Sequence, residues 1–102
     1  MTEQLRQELA NMVGPAAWHN LLPHAARDSI VIVNAGLDLV EVGVAVATDN
    51  VSSVQRWISE ALITKPTVEQ LETWERDRSH EFQTLIVQPY VLIQDVPPAG
   101  LE

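Results

Sequence analysis

The chain has 102 residues, 46% of them hydrophobic and 20% charged, with 14 acidic side chains against 6 basic ones for a formal net charge of −8. That length fits one core-bearing domain, and the composition excludes a disordered chain. The scattered bases Arg6, Arg27, Arg56, Lys65, Arg76 and Arg78 exclude the basic stripe that nucleic acids and anionic membranes select, and the lack of cysteine excludes disulfides, thiolate metal sites and a cysteine nucleophile. No apolar run reaches the ~18 residues of a membrane span and no signal-type segment opens the chain, so a cytoplasmic location is expected.

Leu5, Leu9, Met12 and Val13 fall on one helical stripe, which Gly14 ends. Pro15 suits a first helical position, and Trp18, Leu21, Leu22 and Ala25 continue the helical spacing until Pro23 interrupts it. Ser29 to Val33 reads as a short β-branched strand, and Asn34-Ala35-Gly36-Leu37-Asp38 supplies turn chemistry. From Leu39 to Ala47 valine occupies every second position, Val40, Val42, Val44 and Val46, which at a strand's period of two makes one buried face. The two runs are expected to form a β-hairpin.

Beyond it, Asp49 or Asn50 can cap a helix whose Val51, Val54, Trp57, Ile58, Ala61 and Leu62 line one side. Pro66 breaks that helix, and Thr67-Val68-Glu69-Gln70 matches a capping box that opens another, with Val68, Leu71 and Trp74 buried. Thr84 to Asp95 reads as a last strand, with Pro89 placing it at a sheet edge. The expected architecture is therefore α+β in two layers: α-α-β-β-α-α-β, with four helices and a three-stranded antiparallel sheet of order 1-2-3. Residues 1–96 form the expected domain and 97–102 a tail, in which Leu101 and Glu102 read as the remnant of a cloning site.

Several phrases occur together: Pro23-His24-Ala25-Ala26-Arg27-Asp28, Leu37 to Ala45, Val54-Gln55-Arg56-Trp57-Ile58-Ser59-Glu60 and Leu85 to Gln94. As a set they resemble a small bacterial family, domain of unknown function 2288, over roughly Leu5 to Gln94. The resemblance implies a stand-alone bacterial protein with no assigned activity, ligand or catalytic residue, so no functional residue is carried over from it.

Two polar sets are candidate binding sites. His24, Arg27 and Asp28 crowd the turn before the first strand, where a histidine base and an arginine could hold a carboxylate or phosphate, and where the plainer role is a loop stitched by an Arg–Asp pair. Glu41 on the valine strand, with Gln88, Tyr90 and Gln94 on the last strand, would share the less apolar sheet face, as a small-molecule pocket or as half of a subunit interface. The interface is favoured, because Gly43, Ala45 and Ala47 form a flat strip beside Tyr90, and a two-fold homodimer would cover it. His19, His24 and His80 lack ligand spacing, so neither a metal nor a cofactor is expected. Trp18, Trp57 and Trp74 are read as core anchors. With no Gly-x-Ser-x-Gly context and no phosphate loop, the sequence points to a non-enzymatic interaction module, with a small-molecule-binding protein or small enzyme as the alternative.

Overall fold

The run Leu39–Ala47 is a helix and not the central strand, and most of the architecture follows from that difference. The structure, a computed structural model, describes residues 2–95, so the tail expected over 97–102 lies outside the described residues. In chain order the elements are α1 (Thr2–Met12), β1 (Gly14–Ala17), α2 (Trp18–Ala26), β2 (Ile30–Val33), α3 (Leu39–Ala47), α4 (Val51–Ser59), β3 (Ile63–Thr64), α5 (Val68–Arg76), β4 (Glu81–Val87) and β5 (Tyr90–Gln94).

Asp38 sets the start of α3. Its carboxylate accepts the Val40 N–H at 2.9 Å, which is N-cap chemistry rather than the middle of a hairpin loop. The helical period is hidden because α1 and α4 flank the helix while β4 and β5 lie beneath it. Leu39, Val42, Gly43 and Ala45 are buried, Val40, Val44 and Val46 are half-buried, and only Glu41 and Ala47 are exposed. A helix apolar nearly all round shows no stripe, and its valines can then fall at alternate positions without making a strand. Gly43 sets how closely α3 approaches the sheet. A Cβ there would lie 2.5 Å from Leu85 Cδ2 and 3.4 Å from Leu9 Cδ1.

The sheet has five strands in the order β1-β4-β5-β2-β3. It is mixed: β5 runs antiparallel to β4 and parallel to β2, and the outer strands β1 and β3 are antiparallel to their neighbours. The three-stranded antiparallel sheet of order 1-2-3 with four helices is therefore corrected, among the described residues, to a five-stranded mixed sheet with five helices, still α+β. The expected last strand is two strands. Proline donates nothing to a ladder, so in a chain segment at the middle of a sheet Pro89 becomes part of the turn of the β4–β5 hairpin. Pro15 lies in edge strand β1, where a missing donor is tolerated, and α2 runs through Pro23 instead of stopping at it.

Helices cover both faces. Along β5, Leu92 joins Val33, Leu85 and Val87 in the core shared with Leu9, Leu39, Val42 and Trp57, while its neighbours Val91 and Ile93 point the other way, into a core with Trp18, Leu21, Ile30, Trp74 and Phe82. That second core holds an aromatic cluster: the Trp18 and Trp74 rings are 4.9 Å apart and the Trp74 and Phe82 rings 5.0 Å apart. All three tryptophans are buried as expected, and Trp18 Nε1 has no hydrogen-bond partner among the described residues. The capping box at α5 forms as the sequence predicts, with Gln70 N–H donating to Thr67 Oγ1 at 3.1 Å and Thr67 N–H to Gln70 Oε1 at 2.9 Å.

Candidate functional site

Three helices end in the same way, and one of these ends borders a groove between α3, α4 and the sheet. After α2, α3 and α4 the residues Asp28, Asp49 and Ala61 take left-handed conformations, with φ of 58°, 58° and 60°. In each case the next residue's N–H reaches back to a carbonyl five residues earlier: Ser29 to His24, Asn50 to Ala45 and Leu62 to Trp57. The second of these turns links α3 to α4, and Asn50 then caps α4 by accepting the Ser53 N–H at 3.3 Å.

Because α4 packs on α3 and β3, a groove of about 440 Å³ remains between the two helices and the sheet. Val42, Ala45 and Val46 of α3, Val54 and Ile58 of α4, and Val31 and Leu92 of the sheet form its apolar walls. Asp49, Asn50, Gln55, Thr64, Lys65 and Tyr90 supply its polar groups. Val51, Ile58 and Tyr90 are 52%, 57% and 42% exposed, although the spacing of α4 predicts Val51 and Ile58 as core. The Lys65 ammonium donates to the Asp28 carboxylate at 3.0 Å and to the Asp28 carbonyl at 3.1 Å, so its charge is already paired. The Asp49 carboxylate has no hydrogen bond or ion pair among the described residues, and neither do the Gln55 amide and the Tyr90 hydroxyl.

The residues singled out from sequence do not gather in one place. Glu41 lies on the outer side of α3, paired with Arg6 of α1 at 3.1 Å, and does not line the groove. Gln88 is exposed in the β4–β5 turn. Gln94 is 9% exposed, and its Nε2 donates to the carbonyls of Asn34 at 3.0 Å and Leu37 at 2.6 Å, tying down the loop that leads into α3. Of that set only Tyr90 reaches the groove. Around α2's end, His24 contributes its carbonyl to the turn, Arg27 is exposed, and Asp28 pairs with Lys65 rather than with Arg27. The strip Gly43, Ala45, Ala47 does not exist as a sheet surface: Gly43 and Ala45 are buried against the protein's own core. Among the described residues no three His, Asp or Glu side chains converge as metal ligands, and no helix is long and apolar enough to cross a membrane.

The sequence profile of a family described as a protein of unknown function, DUF2288, matches residues 4–95. The fold is similar to the NMR solution structure of PA1075 from Pseudomonas aeruginosa, with 30% sequence identity, a TM-score of 0.78, and coverage of 97% of this chain and 91% of that one. No curated protein matches.

Proposed function

We infer the function from the groove itself, because the chain belongs to the DUF2288 family and that family's description assigns no activity. The protein is a binding module rather than an enzyme, and it takes a small, largely apolar molecule between α3, α4 and the sheet. The observation that carries this reading is the groove's combination of size and lining. At about 440 Å³ it falls within the range of small-molecule sites, which are mostly apolar with a few placed polar groups. Aliphatic walls offer little to a developing charge, which is why binding is favoured over catalysis. The absence of cysteine suits a reducing compartment, and we place the protein's work in the cytoplasm.

A neutral environment-sensitive dye, Nile red, tests the reading. Saturable fluorescence enhancement is expected with the wild type, and Ile58→Asp, at a 57% exposed position outside both hydrophobic cores, should weaken it at least tenfold. Equal dye binding by the two proteins would refute the groove as the site. The exposed Val51, Ile58 and Tyr90 also favour a second reading, a two-fold homodimer that covers the groove rim. Light scattering after size exclusion would then give about twice the 11.3 kDa chain mass.

A further inference from the structure

Resting on the small-molecule reading above, we propose that the groove selects a cationic amphiphile, a hydrocarbon body carrying an amine, with the ammonium group at Asp49. The apolar walls set the body: Val42, Ala45, Val46, Val54, Ile58 and Leu92 offer dispersion contact and take no hydrogen bonds from a ligand. The charges set the head group. Two ionisable side chains with full charges line the groove, Asp49 and Lys65. Lys65 is already paired with Asp28 at 3.0 Å, and that carboxylate offsets its charge toward an anion. The Asp49 carboxylate has no partner among the described residues, and the helix turn fixes its backbone, with the Asp49 N–H donating to the Val46 carbonyl at 3.2 Å and the Asp49 carbonyl accepting from Val51 N–H at 3.0 Å. Gln55 and Tyr90 also line the groove, with side-chain oxygens that an ammonium can use. A formal charge of −8 on the whole chain acts in the same direction, drawing cations to the surface and repelling anions. A second copy of the chain would bring the same negative charge and a concave surface to the same place, so it is the poorer occupant.

Competition against Nile red on the full chain, with n-octylamine, n-octanol and octanoate, keeps the hydrocarbon constant and varies the charge. Octylammonium should bind about two- to fivefold more tightly than octanol, the size expected for one solvent-exposed ion pair, and octanoate more weakly than either. Added salt should narrow the gap. Asp49→Asn keeps a residue that tolerates the left-handed conformation, so it should fold and abolish the preference for the amine over octanol. Equal affinities for the three compounds, or an amine preference that survives Asp49→Asn, would overturn the proposal while leaving the groove as a binding site. Dye binding that Ile58→Asp does not weaken would remove the groove reading and this proposal together. Loss of dye binding on self-association to twice the chain mass would likewise overturn the proposal, in favour of a second copy.

Discussion

Ala61→Gly should stabilise the protein although it removes a methyl group and puts glycine next to a helix. Ala61 sits one residue past the C-cap Glu60 of α4 at φ 60°, donating its N–H to the Ile58 carbonyl at 3.0 Å while Leu62 N–H reaches Trp57 at 2.8 Å. This position usually holds glycine, because a Cβ in the left-handed region meets the following carbonyl at a cost of about 1–2 kcal/mol. Glycine relieves that contact. It also loosens the unfolded chain, which takes back about 0.4–1 kcal/mol. Ala61 is exposed, so little burial is lost, and the net gain should be about 0.5–1 kcal/mol, or about 2–8 °C in Tm for a domain of this size. Urea unfolding followed by circular dichroism at the helix band should show a higher midpoint at unchanged slope. A lower midpoint would mean that the α4 end does not adopt this turn. Asp28→Gly is the contrasting control: it eases the same backbone strain but removes the carboxylate that holds Lys65, and aspartate tolerates the conformation better than alanine, so it should gain less.

Gly43→Ala would add about 1 kcal/mol of helix propensity at an exposed site, but its methyl would lie 2.5 Å from Leu85 Cδ2 in the core, so it should destabilise by about 1–2 kcal/mol net in urea unfolding, with Leu85→Val recovering part of the loss. Gln94→Leu leaves the Asn34 and Leu37 carbonyls without their side-chain donor and should cost about 1–3 kcal/mol by the same assay, with the largest increase in amide exchange in residues 34–40. Trp57→Ala opens a cavity beneath α4 at a 9% exposed site and should cost about 3–5 kcal/mol in thermal or urea unfolding. A melting point within a few degrees of wild type would place that ring outside the core.

Local chemistry written in neighbouring residues was legible in the sequence. Thr67 and Gln70 declared the start of α5, and the tryptophans declared the core. The valine run was misread because burial on several sides erases the period that distinguishes helix from strand, although Asp38 stood as an unused cap signal in front of it. β1 and β3, with four and two residues, are too short to carry a pattern of their own; their pairing with distant strands defines them. Reading Pro89 as an edge-strand proline joins the two halves of a hairpin into one strand, whereas the proline lies in the turn between them. The groove left one trace. Six apolar positions on α4 and its exit, from Val51 to Leu62, make a wider stripe than contact with α3 and β3 can cover, and Val51, Ile58 and Ala61 lie open, the first two of them in the groove's lining. Glu41 and Gln94 were grouped with Tyr90 through a strand face that does not form, so that grouping had no physical basis once α3 was a helix.

The place of β5 in the sheet also has a consequence for how the protein is made. Among the described residues it follows the other four strands in chain order, yet it lies in the middle and alone links the β1–β4 pair to the β2–β3 pair. A ribosome that has delivered everything up to Val87 has therefore delivered two separate half-sheets, with the apolar faces of α3 and α2 lacking the strand that Leu92 and Val91 will supply to each. Assembly must wait for residues 90–94 to emerge, and until then the nascent chain presents unpaired strand edges and uncovered aliphatic surface, the features that recruit chaperones and promote aggregation. Truncation before Tyr90 would leave the β1–β4 and β2–β3 pairs with no strand to join them.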